Sequence, residues 1–168
     1  MRIYLIGYMA SGKSWLGQEL ATKTGYPFTD LDELFEVRYR LSILDFFEKY
    51  GEPLFRNLER ELLRETESLP QAIISTGGGA PCYSDNMQFI LRSGISAYLR
   101  MPLPDLLQRI SGIKKKRPLL KYVSPEKMED FVRAQLVERE PFYLQANFTF
   151  NGPDYPADEI IRKLGIGH

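Results

Sequence analysis

The first apolar run, Ile3-Tyr4-Leu5-Ile6, is hydrophobic at every position rather than at every second one. That is the pattern of a parallel strand covered by helices on both faces, so a central strand is expected there. A helical period follows from about Lys13 to Thr24 and stops at Gly25. Pro27 to Asp30 then reads as a short second strand, and another helix begins near Asp32. From Ile43 to Glu67 the period is helical, with Phe55, Leu58 and Leu62 on one face and Arg56, Glu59 and Arg60 turned away from it. Ala72 to Thr76 predicts a third strand ending in Gly77-Gly78-Gly79. Ile95 to Met101 predicts a fourth, closed by Pro102 and Pro104, and Phe148 to Phe150 a fifth. Strands alternating with helices, without an internal repeat, point to an α/β sheet protein.

The chain has 168 residues, of which 43% are apolar, enough for one good core and short for two, so a single domain spanning 1–168 is expected. Twenty-two basic residues balance 22 acidic ones, which gives no reason to expect a nucleic acid or membrane partner; any anion site must be local. One cysteine, Cys82, cannot build a disulfide framework or a Cys-rich zinc site. The one histidine, His168, is the last residue, which sets aside histidine acid/base chemistry. The apolar start is too short for a signal-peptide core, and a cytoplasmic, monomeric protein is expected.

Gly7-Tyr8-Met9-Ala10-Ser11-Gly12-Lys13-Ser14 fits G-x-x-x-x-G-K-[ST], directly after a buried strand and before a helix, where that motif has physical meaning. Glycines let the backbone fold so that its N–H groups face inward, and the helix N-terminus adds partial positive charge. The candidate ATP-binding set is therefore Gly7, Ala10, Ser11, Gly12, Lys13, Ser14 and Trp15. Lys13 can reach the β- and γ-phosphates and the Ser14 hydroxyl can ligate Mg2+. The strand Ala72 to Thr76 carries no carboxylate, so the second magnesium contact must come from elsewhere. Asp30 and Asp32 close the second strand, and alternate positions point the same way. Asp30 suits the magnesium, through water. Asp32 suits the proton of an attacking hydroxyl, or else caps the next helix.

Gly77-Gly78-Gly79 makes sense where backbone approaches a ligand closely, or else as a flexible turn. Arg56, Arg117 and Arg139 are candidate anion binders because a guanidinium pairs with a carboxylate or phosphate at two points. Residues 112 to 123, with Lys114-Lys115-Lys116-Arg117, read as a mobile lid; a solvated loop is the plainer reading of the charges.

These pieces together resemble the shikimate kinases. The resemblance is carried by the glycine-rich loop, by Phe28-Thr29-Asp30-Leu31-Asp32, by Ser42-Ile43 leading to Phe47, and by Gly51-Glu52 and Phe55-Arg56 with Glu59. It continues in Thr76-Gly77-Gly78-Gly79-Ala80, Arg117-Pro118-Leu119-Leu120 and Arg139-Glu140-Pro141-Phe142-Tyr143. It implies a three-layer α/β/α fold like that of nucleoside monophosphate kinases, with a five-stranded parallel sheet, a substrate-binding helical segment at about 31–62 and a lid at about 112–123. It implies ATP-dependent phosphorylation of the 3-hydroxyl of shikimate, on the route to chorismate and the aromatic amino acids. By the same resemblance Asp32, Arg56, Gly78, Gly79 and Arg139 hold shikimate and Glu59 orients that site. Arg117 closes over the transferring phosphate, and Arg109 lies against the adenine. Lys13, Asp32 and Arg117 are then the catalytic set, with Ser14 and Asp30 at the metal.

Two positions depart from the family's pattern: Ala10 stands where glycine is usual, and Trp15 follows Ser14 where threonine is common. Ala10 is expected to be tolerated and Trp15 to pack at the start of the helix. A kinase of the same architecture acting on another small polyol or acid, such as gluconate, and a transfer-inactive nucleotide switch are the rival readings. Retention of Lys13, Asp32 and Arg117 speaks against the switch.

Overall fold

A computed structural model describes residues 1–113 and 118–167. Five strands form one parallel sheet: β1 (Arg2–Ile6), β2 (Phe28–Asp30), β3 (Ala72–Ser75), β4 (Ile95–Arg100) and β5 (Phe148–Asn151), in the spatial order β2-β3-β1-β4-β5. The central place of β1 explains its composition, since Ile3, Tyr4, Leu5 and Ile6 are all fully buried. Its register sets Leu5 beside Ser75 and Ile6 beside Tyr98.

Parallel pairing puts the carboxyl ends of all strands on one edge, where ligands of such sheets bind. The segments leaving β1, β2 and β3 there are the glycine-rich loop, the Asp30–Asp32 segment and the triple glycine.

The helices are α1 (Lys13–Thr24), α2 (Leu31–Tyr39), α3 (Ile43–Tyr50), α4 (Glu52–Glu65), α5 (Asn86–Ser93), α6 (Leu103–Ile113), α7 (Pro125–Tyr143) and α8 (Ala157–Leu164). The helical stretch expected from Ile43 to Glu67 is two helices. Gly51, at φ 85°, breaks it, and Pro53 opens the second one. Strand ends differ from expectation by a residue or two.

The main core lies on the sheet, and a second apolar cluster of Phe35, Phe46, Phe55 and Leu62 joins α2, α3 and α4. Phe35 meets Phe46 and Phe55 edge-on at 5.0 and 4.9 Å, an arrangement favoured by ring quadrupoles. The three helices are thereby held as a unit against the carboxyl edge of the sheet.

Candidate active site

Between β1 and α1 the chain turns through residues 7–12, and Gly12, at φ 98°, opens α1 without a side-chain cap. The first N–H groups of that helix are therefore left to face whatever sits above the loop. Lys13 is buried and folds back, its Nζ donating to the carbonyls of Gly7 and Tyr8 at 2.8 and 2.9 Å. The ammonium thus stands over the loop rather than in solvent. The Ser11 hydroxyl, in the same loop, is buried without a hydrogen-bond partner among the described residues. Ala10 takes a left-handed backbone, φ 63°, which a side chain makes costly.

Arg109, on α6, reaches across to donate to the Ala10 carbonyl at 3.3 Å. Trp15 does not pack at the start of α1 as expected: it is 63% exposed and lines the cavity above the loop. The physical reason is its place on the helix, since α1 buries Leu16, Gly17 and Leu20 against the sheet and leaves position 15 on the open side.

The Ser14 hydroxyl donates to Asp30 Oδ2. The other oxygen of Asp30 accepts from the backbone N–H of Asp32 and Glu33, at 3.0 and 3.3 Å, so Asp30 is the N-cap of α2. That overturns the alternative in which Asp32 caps the helix; Asp32 is the second residue of α2 and lines both cavities described below.

A magnesium ion fits this corner. Ser14 and Asp30 offer two hard oxygen donors already in contact. Among the described residues there is no cluster of three or more His, Cys, Asp or Glu side chains that would enclose a metal completely. Magnesium keeps most of its ligands as water and phosphate and takes one or two from protein.

A second group of polar side chains is built on α4. Its buried stripe runs Phe55, Glu59, Leu62 and Leu63, so Glu59 occupies an interior position and Leu58 only a half-buried one. The expectation that Arg56 and Glu59 turn away from the core is therefore incorrect. Arg56 Nη1 donates to Glu59 Oε1 at 2.9 Å and its Nε to Glu52 Oε1 at 3.2 Å, while the guanidinium lies 4.1 Å from the centre of the Tyr83 ring. Tyr83 in turn donates its hydroxyl to Glu52 at 2.9 Å.

The triple glycine makes room for these groups. A Cβ on Gly77 would stand 2.8 Å from both Asp32 Oδ1 and Glu59 Oε2. One on Gly79 would stand 2.7 Å from both terminal nitrogens of Arg56, and one on Gly78 would stand 3.0 Å from the Met9 amide of the phosphate loop. Each glycine admits a different neighbour, which a merely flexible turn would not do.

Arg139, from α7, is buried with its guanidinium 5.7 Å from the centre of the Tyr8 ring. Tyr143, one turn on, donates to the Gly78 carbonyl at 2.5 Å.

Burial raises Glu59 to about 7, against an ordinary value near 4.5, with Arg56 opposing the rise and the Asp32 carboxylate adding to it. Burial likewise pushes the Tyr8 hydroxyl up to about 12. A carboxyl pushed up by burial beside a second carboxylate, in a cleft, is the kind of group around which active sites are built.

Two cavities adjoin across Met9, Asp32, Ile43, Gly78 and Pro118. The larger, about 560 Å3, covers the phosphate loop; the smaller, about 60 Å3, reaches Arg56, Glu59, Gly79 and Arg139. The structure thus brings together the expected loop residues, Asp30, Asp32, Arg56, Glu59, the glycines, Arg109 and Arg139. Arg117 and the lysines before it lie outside the described residues. Sequence reasoning missed Tyr83, Glu52, Tyr8 and Tyr143. Of these only Glu52 carries a usable signal, its i,i+4 pairing with Arg56 on α4.

A sequence profile of the shikimate kinase family matches residues 9–165. The shikimate kinase of Parabacteroides distasonis is 42% identical over 163 residues, covering 97% of this chain and 94% of its own. The crystal structure of shikimate kinase from Bacteroides thetaiotaomicron superimposes with a TM-score of 0.92 at 36% identity, covering 99% of both chains. That of the Acinetobacter baumannii enzyme in complex with shikimate gives 0.87 at 36% identity, covering 96% and 89%. With its loop, acidic pair and arginine-lined recess on one edge of a five-stranded parallel sheet, the chain belongs to the shikimate kinase family.

Proposed function

We propose that this chain transfers the γ-phosphoryl group of ATP to the 3-hydroxyl of shikimate, giving shikimate 3-phosphate and ADP, a step toward chorismate and the aromatic amino acids. The observation that carries the reading is the recess of Arg56, Glu59, Asp32 and Arg139 against Gly77–Gly79, which opens onto the phosphate-loop cavity. A solved relative holds shikimate.

Arg56 and Arg139 pair with the substrate carboxylate, with Gly78 and Gly79 letting it approach the backbone. Glu59 holds Arg56 in its rotamer through the 2.9 Å bond. Asp32 meets the 3-hydroxyl and orients its attack, accepting its proton as the bond to phosphorus forms. The N–H groups of Gly12 to Trp15 and the Lys13 ammonium take the β- and γ-phosphates, for which Lys13 exchanges the loop carbonyls for phosphate oxygens. Magnesium, held by the Ser14 hydroxyl and by Asp30 directly or through water, neutralises charge on the β- and γ-phosphates when bound. Arg109 lies against the adenine, and Arg117, from the motif Arg117-Pro118-Leu119-Leu120, caps the transferring group.

One domain of residues 1–168 contains every residue of the site, which favours action as a monomer, with residues 31–62 as the substrate segment and 112–123 as the lid. Among the described residues no helix is long and apolar enough to cross a membrane. The use of ATP favours a cytoplasmic setting.

The test is a coupled assay of ADP release from MgATP with shikimate, beside gluconate and a no-acceptor control. Release with shikimate alone is expected; equal release with gluconate, or none with either, would overturn the assignment. Asp32→Asn should lose turnover while still binding ATP.

A further inference from the structure

Trp15 is the one tryptophan of the chain, and it belongs to neither hydrophobic cluster. A tryptophan brings roughly 150–250 Å2 of surface to whatever it packs on, yet this one is 63% exposed, so the fold itself gains little from it. Its surroundings are not open solvent. Trp15 shares the wall of the larger cavity with Ala10, Arg109, Ile113 and Pro118, which are apolar or flat.

The helix geometry says which part of a nucleotide reaches it. Residues three apart share a helix face, so Trp15 stands one turn beyond Gly12 on the same side of α1. Arg109 Nη1 lies 3.2 Å from the position of a Gly12 Cβ, which brings the guanidinium to that side too. The phosphates are held by N–H groups at the helix start. What extends past them along this face is the nucleoside, whose ribose and purine offer apolar edges and a π-face.

We propose that the Trp15 indole is an apolar wall for the nucleoside half of ATP, with the Arg109 guanidinium bordering the same space. The proposal rests on the nucleotide reading above and deepens it. Trp15 is a binding residue for the nucleoside and leaves the transfer of phosphorus to the loop, Asp32 and magnesium. A threonine at this position cannot supply the same contact, so the dependence on the side chain is specific to this chain's departure from its family.

Because Trp15 is the sole tryptophan, emission excited at the red edge of tryptophan absorption, where the ten tyrosines do not absorb, reports on it alone. Wild-type protein is titrated with MgADP and, separately, with magnesium tripolyphosphate, which carries phosphates without a nucleoside. A saturable emission change with ADP and little change with tripolyphosphate is expected. Equal changes with both would overturn the proposal, since the signal would then follow the phosphate loop.

In parallel, Trp15→Thr and Trp15→Phe are assayed with ATP and shikimate. Loss of one stacking partner raises KM for ATP on the order of tenfold in Trp15→Thr. KM for shikimate should hold, and Trp15→Phe should recover most of the loss. A KM for ATP unchanged in Trp15→Thr overturns the proposal. Wild-type enzyme without shikimate-dependent ADP release would instead sink the kinase assignment, while the ADP and tripolyphosphate titrations would still decide the fate of Trp15.

Discussion

Replacing Glu59 by glutamine removes an ionisable group and keeps its volume and its acceptor oxygen for Arg56. The wild-type carboxyl is 5% exposed and raised to about 7 by burial, with Arg56 opposing and Asp32 reinforcing. A folded value above the unfolded one means that the native state binds the proton more tightly. The stabilisation is therefore complete below about 4.5, drains away as pH rises, and is gone above about 7. The full difference is on the order of 3 kcal/mol. For a chain of this length, where each kcal/mol moves Tm by roughly 2–4 °C, it amounts to roughly 6–12 °C. The glutamine variant has no such dependence.

The assay is thermal unfolding of both proteins between pH 4.5 and 8 in one buffer series of constant ionic strength. Other titrating groups contribute equally to both, so the quantity of interest is the variant's Tm minus the wild type's. That difference should climb by roughly 6–12 °C across the range. Its absolute level depends on how well the amide satisfies Arg56, which does not affect the slope. Parallel curves would refute the reasoning, because they would mean that Glu59 titrates as an ordinary surface carboxylate and that the interior α4 position assigned to it is wrong.

Ala10→Gly removes a Cβ from a left-handed residue, φ 63°, and should stabilise the protein by about 1 kcal/mol in urea unfolding, with phosphoryl transfer retained. Gly79→Ala puts a Cβ 2.7 Å from both terminal nitrogens of Arg56, whose guanidinium is held between Glu59, Glu52 and the Tyr83 ring and has little room to give. Displacing it should lower kcat/KM for shikimate on the order of 100-fold while nucleotide binding, followed by ADP titration, is spared. Chelating magnesium with excess EDTA should abolish ADP release and leave the fold's thermal transition in place, since the donors Ser14 and Asp30 already satisfy one another without it.

The strands were legible because β1 sits at the centre of the sheet, and a fully buried parallel strand has no solvent face to encode. Helix α1 was legible for a related reason: Gly12 and Gly25 both adopt left-handed backbone at its ends, and both stand out in the sequence. The loop between β1 and α1 then followed from position alone. The capping of α2 was harder, since Asp30 and Asp32 are both suitable residue types. The choice between them depends on Asp30 being the last extended residue, at φ −97° and ψ 117°, before the helix begins at Leu31, which composition does not report.

Glu59 resisted for a deeper reason. A helical period identifies a face by its apolar members, and an acidic residue in that face is counted as outside it. Phe55 and Leu62 of the α4 stripe pack on the side chains of Phe35 and Phe46, but at Glu59 the stripe meets the bare backbone of Gly77. A surface without side chains leaves a polar recess that a hydrophobic residue could not satisfy, and carboxylate and guanidinium groups fill it only by pairing with one another. The same absence of side chains that admits Arg56 and Glu59 leaves room for a carboxylate-bearing substrate beside them. The misread helix face and the proposed substrate site thus share one structural origin.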